Sequence, residues 1–551
     1  MAAIDDLIPR WTKRVVTDAG GRDPLGLSRV GFLITDYLLT GIITTTDRAR
    51  YYSFYCWVLW HIEREDAPVK YEDFVAGFRR REAALAVATI ANNPSTSPVG
   101  VEATRIQFEK GKSTGFLDTD FKVLPSNSLG GYGQYYAGSI YHMHLSHRSA
   151  EGMDRVSPGV AEQLAQSFQN SIENTPYIKN KLYSEREIPV KDLLKSKEFL
   201  TLDALNEPFA AEEKRKLLEI FFDLNEEKKD DKTLLRRQTL IYLLYILDLY
   251  NKNGSSVDAA NYENLDEYLL YSLYYGVLWL EDEVVVPFEK LESFSFCESL
   301  WRQFCVHQFL IQALELLLSS VIETAGQETG GDSLENIIEN FVTPEFFVRL
   351  TAIFGEDSSV GSPFELLNSI GIDKLPTPES SVRLREELLP DKKGSEAQIL
   401  DLPAAGTSGA AAQAVALLAV IYGKWRGDNA DAGINYLARH AGPELWILKV
   451  FPVLDTWFEP QITWLGTFAA LIDVFVLQQH DRIMYEKRRL DSCWLRRTDG
   501  RIFREQDYRP VWRASRFYNA TKIMTDLGLI KVDERKLEIT AEGADLLNQL
   551  V

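Results

Sequence analysis

Three histidines form a dense group of potentially reactive side chains. His142, His144 and His147 fall within six residues, and on a helix the last two would share a face while His142 points elsewhere. A zinc ion needs further ligands, but no cysteine is near, and the acids Glu151 and Asp154 follow a predicted bend. We therefore expect surface or core histidines, and we expect neither a metal site nor a cofactor.

The stretch 129–136 is a glycine-rich loop before a predicted helix, where amide groups can hold an anion. Its spacing is not that of a dinucleotide-binding or Walker loop, because position 136 is a tyrosine and no Gly-Lys-Ser/Thr follows. We expect a structural turn in which the glycines let aromatic side chains pack closely. No Gly-x-Ser-x-Gly turn is present either, so the sequence assigns no catalytic residue.

Two aspartates, Asp36 and Asp47, stand in largely apolar surroundings. A buried charge without a partner is costly, and Arg29, Arg48 and Arg50 are the natural candidates for pairing. The sequence therefore predicts an internal ion-pair network with a structural role.

A run of three arginines at 79–81 lies in a predicted helix. Such a run could meet phosphate, but a solvated helix face or a salt bridge is the commoner use. We expect one of these two structural uses.

The elements that hold these side chains are mainly helices. Hydrophobic residues make up 45% and charged residues 25% of the 551 residues, as in soluble globular proteins. Helical spacing of apolar residues predicts helices at 44–65, 71–91, 134–145, 159–173, 209–225, 232–251, 264–280, 296–324, 334–342, 344–354 and 380–389, and a helical block over 407–490. The predicted fold class is mostly α, with a large multi-helix body and a small C-terminal α+β domain.

Breaks in the helical pattern divide the chain into four predicted domains. They are an N-terminal helical domain with the glycine-rich loop, a central helical domain, a buried helical block and the C-terminal α+β domain, at 1–150, 151–400, 401–480 and 481–551. The breaks suggested by the sequence are at 325–333, 355–363 and 391–396.

Two apolar stretches, 410–422 and 462–477, call for comparison with membrane spans. Both fall short of the ~20 consecutive apolar residues that a span needs, so we expect buried core helices and no membrane contact. The four cysteines are scattered and form no C-x-x-C pair. We interpret them as buried thiols of a cytoplasmic protein.

The charge of the chain is unevenly distributed. A net charge of −20, from 60 basic and 80 acidic residues, excludes a protein that coats nucleic acid with a basic surface. Residues 481–520 nevertheless hold 11 basic against 6 acidic residues, with aromatic residues interleaved. Basic and aromatic side chains concentrated at one end are typical of a nucleic-acid-binding module.

The last 40 residues show a distinctive order of elements. A predicted helix over 513–527 ends at Gly528, two short strands at 529–532 and 537–540 flank a turn, and a last helix begins at 541. This order, with the stretches Leu-Gly-Leu-Ile and Ile-Thr-Ala-Glu-Gly-Ala-Asp-Leu-Leu, resembles the second half of winged-helix domains such as those of MarR-type regulators.

The resemblance implies DNA binding, because in such domains the helix before the hairpin enters the major groove and the wing touches phosphate. The residues that it places at DNA are Arg513, Ser515, Arg516, Asn519, Lys522, Arg535 and Lys536. Winged helices also serve as protein-docking modules, and Asp526, Asp533 and Glu534 dilute the positive charge. Both uses stay open.

We expect a non-enzymatic scaffold or adaptor subunit that docks other protein subunits through its helical body and contacts DNA through the winged helix. By analogy, the expected setting is a bacterial multi-gene system such as antiphage defence. One alternative is a transcriptional regulator whose body senses a ligand or a partner. Another is an enzyme with a site near Gly130–His147. We also expect the body to stay folded when 481–551 is deleted.

Overall fold

The fold was obtained as a computed structural model. It describes residues 23–224, 231–258, 262–280, 284–326, 330–403, 406–428, 431–442, 445–487 and 493–551. Within these ranges the protein is mostly α, with short strands in small sheets. The predicted fold class is confirmed at this level.

The helices up to residue 280 include all those predicted there, with shifted ends. In chain order they are α1 (Ser28–Leu38), α2 (Arg50–His61), α3 (Tyr71–Asn92), α4 (Val101–Thr114), α5 (Ala137–His142), α6 (Val160–Ile172), α7 (Pro176–Lys179), α8 (Val190–Leu194), α9 (Ala211–Phe221), α10 (Asp231–Lys252), α11 (Tyr262–Leu265) and α12 (Tyr271–Tyr275). Turns of π-helix extend α2 to Asp66, lead into α5 from Tyr132, and join α11 to α12 over Asp266–Leu270.

The helices after residue 280 begin with the longest one. They are α13 (Ser295–Ala325), α14 (Leu334–Glu339), α15 (Pro344–Phe354), α16 (Pro363–Ser369), α17 (Pro378–Glu387), α18 (Glu396–Asp401), α19 (Gly406–Trp425), α20 (Ala432–His440), α21 (Ile447–Asp455), α22 (Trp464–Leu471), α23 (Gln479–Glu486), α24 (Phe517–Asp526) and α25 (Ala541–Leu550). A π-helical turn over Ile472–Gln478 joins α22 to α23.

The strands are short and antiparallel. In chain order they are β1 (Phe116–Asp118), β2 (Ser146–Arg148), β3 (Asp154–Val156), β4 (Glu187–Pro189), β5 (Val257–Asp258), β6 (Val277–Trp279), β7 (Val285–Pro287), β8 (Asp332–Ser333), β9 (Leu495–Thr498), β10 (Arg501–Arg504), β11 (Ile530–Asp533) and β12 (Lys536–Ile539). The pairs are β1–β4, β2–β3 and β6–β7, and the two three-stranded sheets have the orders β8-β10-β9 and β11-β12-β5.

The chain divides into two compact units, each built from distant segments. Unit I contains residues 33–302 and 514–551, and unit II contains residues up to 32 together with 303–513. These boundaries differ from the four predicted domains, because the predicted C-terminal domain is divided between the two units at 513. Breaks in a helical pattern mark local loops and carry no information on which distant strands pair.

The core of unit I centres on α2, which packs against α6 and α9. Every residue of α2 except Trp60 is buried. Its tyrosines stack on one another and on the segment before α5, with 5.2 Å between the ring centres of Tyr51 and Tyr55 and 5.4 Å between those of Tyr55 and Tyr132. The helix predicted over 44–65 is thus buried on nearly all sides.

The core of unit II centres on α19, whose residues from Ser408 to Trp425 are all buried. It packs against α15, α17 and α18. By length and composition alone, Glu292–Ala325 and Gly406–Trp425 are apolar enough to cross a membrane, and 83% and 89% of their most apolar windows are buried within the protein. Burial of this extent is what a core helix of a soluble protein also shows.

Candidate functional site

The start of the predicted DNA-reading helix is turned into unit I. Ser515 is fully buried, and its hydroxyl and amide both donate to the carboxylate of Asp266, the amide at 3.1 Å. Arg516 has a left-handed backbone (φ 72°), so α24 begins at Phe517 and not at residue 513. The guanidinium of Arg516 pairs with Asp36 at 2.6 Å and donates to the carbonyl of Ile42 at 3.1 Å.

The outward face of α24 is partly covered. Asn519 is only 6% exposed, and the ammonium of Lys522 lies 3.3 Å from the carboxylate of Asp47. Asp526 accepts from the side chain of Arg48 and from the amide of Ala49, both at 2.9 Å. The prediction that Ser515, Arg516 and Asn519 face outward is therefore wrong, because α24 is packed against the segment 36–49 of the same unit.

Arg513 belongs to unit II, where 12% of its side chain is exposed. Its guanidinium forms two hydrogen bonds with the carboxylate of Glu315, at 2.5 and 3.0 Å, and a third with the hydroxyl of Ser28 at 3.0 Å. Burial raises the pKa of Glu315, and the neighbouring Arg513 opposes that rise. Arg513 therefore serves as the partner of a buried acid, and its contact with DNA stays a prediction.

The wing remains accessible, and so does the side chain of Lys522, which is 43% exposed. The turn between β11 and β12 places Glu534 and Arg535 in the left-handed region, with φ of 45° and 76°, as hairpin turns of two residues require. Arg535 and Lys536 are exposed, and so are Asp533 and Glu534. The hairpin was predicted correctly, and its tip carries two positive and two negative charges.

Three arginines of the basic segment before the wing form ion pairs with acids in unit II. Arg497 pairs with Asp481, and Arg504 pairs with Asp507. Arg496 pairs with Glu505 at 2.7 Å. Because these three arginines each have a nearby acid, they add less positive charge to the surface than their number in the sequence suggests.

The glycine-rich loop surrounds a buried carboxylate of its own chain. The amide of Gly131 and the hydroxyl of Tyr55 donate to the same oxygen of Glu82, at 2.9 and 2.7 Å. A Cβ atom at Gly130 would lie 1.7 Å from Glu82, so a glycine is required there. Burial raises the pKa of Glu82 to about 7, and its hydrogen bonds to Tyr55, Gly131 and Tyr132 oppose the rise.

This loop is therefore a structural turn, as predicted, but for a reason that the loop sequence does not contain. Glu82 is followed in its helix by alanines, a leucine and a valine. An acid next to such an apolar run is expected to be buried, and a buried carboxylate needs hydrogen-bond donors. The loop amide of Gly131 is used inward, so the enzymatic alternative near Gly130–His147 depends on the histidines alone.

The arginines at 79–81 all have partners in unit I. Arg79 pairs with Asp120 at 3.1 Å, and Arg80 donates to the carbonyl of Ser184 at 2.7 Å. Arg81 is fully buried, pairs with Asp66 at 2.9 Å and lies 2.8 Å from the ring nitrogen Nδ1 of His61. Burial, with Arg81 beside it, lowers the pKa of His61 to about 3. The run is structural, in agreement with the prediction.

Asp36 and Asp47, which were expected to pair inside the protein with Arg29, Arg48 or Arg50, have side chains that are 61% and 39% exposed and pair with Arg516 and Lys522. Arg48 and Arg50 have acidic partners elsewhere in the chain. Arg50 forms two hydrogen bonds of 3.1 Å with Glu213, and both side chains are fully buried. Arg48 joins Asp203 to Asp526. Sequence proximity could not reveal these pairs, because the partners lie more than a hundred positions away.

The three histidines line one cavity of about 630 Å³ in unit I. His142 is the last residue of α5, His144 lies in the turn that follows, and His147 lies in β2. The predicted continuous helix is wrong here, because it ends at His142. The other residues of the lining are Tyr37, Thr40, Tyr141, Ser146, Ser157, Asp231 and Lys232.

In the described parts of the chain, no three His, Cys, Asp or Glu side chains are placed to hold a metal ion together. The histidine cavity is therefore not a preformed metal centre. No family model matches the chain, and no curated protein and no solved structure is significantly similar to it.

Proposed function

We propose that the protein is a non-enzymatic scaffold or adaptor subunit with a winged-helix module assembled from two distant parts of the chain. Winged-helix domains run helix, strand, two helices and a hairpin, and their first strand pairs with the last one. The segment 231–275 supplies a helix, a strand and a helix, and 514–551 supplies a helix, a hairpin and a closing helix. The sheet order β11-β12-β5 supports this assignment.

The helices support the same module. The central helix α10 contacts β12, α24 and α25, and α11 contacts both β5 and α24. Residues 276–513, which include nearly all of unit II, are then an insertion between the second helix of the module and its third. The C-terminal resemblance thus describes the second half of a module whose first half lies about 240 positions earlier in the chain, a distance typical of an inserted domain.

The observation that carries the scaffold proposal is the use of α24 as an internal contact. Its ion pairs Arg516–Asp36, Lys522–Asp47 and Asp526–Arg48 all join it to one segment of unit I. A helix that reads bases must present its polar face to the groove. Here that face packs against protein, which favours docking over sequence reading.

The contact with DNA that we propose is limited to the wing. Arg535 and Lys536 are exposed and can reach phosphate, whereas no base-reading side chain accompanies them. We expect weak binding without sequence preference, which falls steeply with salt because it rests on phosphate charge. The net charge of −20 further weakens it.

Fluorescence anisotropy with a labelled mixed-sequence DNA duplex and the full-length protein tests this proposal. Arg535→Glu with Lys536→Glu should abolish binding at about 50 mM salt, whereas the matched change Arg105→Glu with Lys110→Glu on the exposed face of α4 should retain most of it. Tight binding of one sequence that Asn519→Ala weakens in a folded protein would contradict the proposal. So would the absence of any binding at low salt.

The multi-gene setting is a proposal by analogy. Products of neighbouring genes that co-purify with the protein, an ATPase or a nuclease in particular, would support it. A protein that purifies alone and whose gene has no such neighbours would contradict it.

A ligand-sensing regulator is the second candidate, and the histidine cavity favours it. Such a regulator should form dimers and prefer a palindromic DNA site. Sedimentation of the purified protein in the presence and absence of DNA separates the two candidates, because a scaffold requires no dimer.

A further inference from the structure

The histidine cavity in unit I has the size of a small-molecule site. Its volume of about 630 Å³ lies in the range of ligand pockets. The three imidazoles His142, His144 and His147 are all exposed to it. Residues this close in sequence reach one wall only because the chain reverses between them.

That reversal depends on an unfavourable residue. The amide of Leu145 bonds the carbonyl of Ile140 at 3.0 Å, and the amide of His144 bonds the carbonyl of Tyr141 at 2.9 Å. These two bonds define a Schellman turn, and His144 holds the left-handed position that glycine usually takes, with φ of 58°. Backbone strain of this kind clusters at functional sites.

The backbone of Gly41 lies close to this turn. Gly41 has φ of 84°, and a Cβ atom there would lie 2.2 Å from Met143. The carbonyl of Gly41 also accepts from the buried hydroxyl of Tyr52 at 2.6 Å. Gly41 directly follows Thr40, which together with Tyr37 also lines the cavity.

We propose that this cavity binds a small molecule through its phosphate group. The lining supplies imidazole N–H donors, the hydroxyls of Ser146 and Ser157, and the ammonium of Lys232. Phosphate oxygens accept from such donors, and lysine is a common point-charge partner. Asp231 is the one carboxylate of the lining, so donors outnumber acidic acceptors.

The rings of the lining favour an organic phosphate over the free ion. Tyr37 and Tyr141 join the three imidazoles on the walls, and flat rings stack on aromatic side chains. A water molecule occupies only about 30 Å³ of liquid. A phosphate ion, which is only a few times larger than water, would therefore fill a small part of the cavity volume of about 630 Å³. A nucleoside monophosphate combines both features.

Isothermal titration of the full-length protein with AMP, adenosine and inorganic phosphate tests the proposal. We expect AMP to bind more tightly than phosphate and adenosine to bind at least about tenfold more weakly than AMP. His142→Ala with His147→Ala should weaken AMP binding by about tenfold or more. The control variant His440→Ala changes an exposed histidine of unit II and should leave the affinity for AMP unchanged.

The variant His144→Gly gives a second readout that does not depend on destabilising the protein. Glycine adopts the left-handed backbone conformation without strain, so the melting temperature should rise by roughly 1–2 °C. The affinity for AMP should fall, because one imidazole of the lining is lost. A purely structural turn would show the first effect without the second, and that result would overturn the proposal.

Three further outcomes would also overturn it. They are equal affinity for AMP and adenosine, no heat with AMP or phosphate up to about 10 mM, and stoichiometric binding of zinc ions through the histidines without any phosphate binding. Tighter binding of phosphate than of AMP would overturn the assignment of the cavity to a nucleoside monophosphate, because the rings of the lining would then add nothing to binding.

Discussion

Buried charges in unit I are stabilised in two different ways. Glu82 has no cationic partner and is held by a hydroxyl and backbone amides, whereas Glu213 is paired with Arg50 and also accepts from Ser53 and Ser171. The first arrangement leaves the carboxyl easier to protonate, and the second holds two full charges together. The first site should therefore make stability depend on pH, and the second should be sensitive to the loss of one partner.

Glu82→Gln should remove a pH dependence of stability. The pKa of Glu82 in the folded protein is about 7, above its ordinary value of 4.5, so the folded state binds more protons between these values. The stability contributed by the protonated form is complete below pH 4.5 and is lost as the pH rises through 7. Between pH 4.5 and 8, the free energy of unfolding should fall by about 3 kcal/mol more in the wild type than in the variant.

Urea denaturation at stepped pH values measures this difference. The control Glu102→Gln alters an exposed carboxylate of α4 and should leave the wild-type profile unchanged. Parallel profiles for wild type and Glu82→Gln would show that the carboxyl of Glu82 does not titrate in this range.

Arg50→Met should destabilise the protein by about 3–5 kcal/mol, because it leaves the carboxylate of Glu213 buried without a counter-charge. Arg50→Met combined with Glu213→Leu should recover a large part of that loss. Chemical denaturation checks both values. Arg105→Ala breaks an exposed pair with Glu102 and serves as the control without measurable change. Equal losses in the single and double variants would contradict the argument.

At the scale of elements, the sheet β11-β12-β5 joins residues far apart in the chain. Leu537 is opposite Val257 in the register, and both side chains are almost completely buried. The hairpin alone would be marginal, since an isolated two-stranded sheet is barely stable in water. The third strand and the helices around it supply the missing core.

Leu537→Ala should therefore destabilise unit I by about 2–4 kcal/mol, by loss of buried surface and creation of a cavity. Val532→Ala is a control on the neighbouring strand, because Val532 is 52% exposed, and it should cost no more than ~0.5 kcal/mol. Hydrogen exchange should also speed up at the amides of Val257 and Asp258. Unchanged exchange there would mean that β5 does not depend on β12.

Helical spacing in the sequence was enough to predict most helices and the terminal hairpin, because those patterns are local. The orientation of α24 was not predictable in this way. Ser515 and Lys522 have the polar character of surface residues, and only their partners Asp266 and Asp47 show that one is internal and the other paired. Those partners lie about 250 and 475 positions away, beyond any periodic pattern.

The histidine cavity was missed for a related reason. The spacing of the three histidines suggested a helix face, whereas a left-handed residue at His144 ends the helix between them. The glycine-rich loop was interpreted correctly as a turn, but Glu82, the residue that it encloses, could not be paired with it from sequence alone.

At the scale of the whole molecule, the C-terminal segment is part of the core of unit I and not an appended domain. Phe517 lies 4.4 Å from Trp301, measured between ring centres, and both are fully buried. The expectation that a chain without 481–551 keeps a folded body therefore needs revision.

We predict that a chain ending at residue 513 fails to form a soluble, cooperatively folded unit I. The apolar faces of α10 and α13 that residues 514–551 cover would become exposed to water. Soluble yield and near-ultraviolet circular dichroism of the purified product check this. Arg535→Gly, which changes only an exposed position with φ of 76°, should leave both unchanged. A truncated protein with a native-like near-ultraviolet spectrum would refute the prediction.

The separation of β5 from β12 has a consequence during protein synthesis. At bacterial and eukaryotic rates of about 5–20 residues per second, the ribosome needs roughly 12–50 s to pass from the end of α12 to the start of α24. Throughout that interval the nascent chain displays an unfinished apolar surface around α10. We therefore expect the newly made polypeptide to be a client of ribosome-associated chaperones until its last segment emerges and closes the sheet.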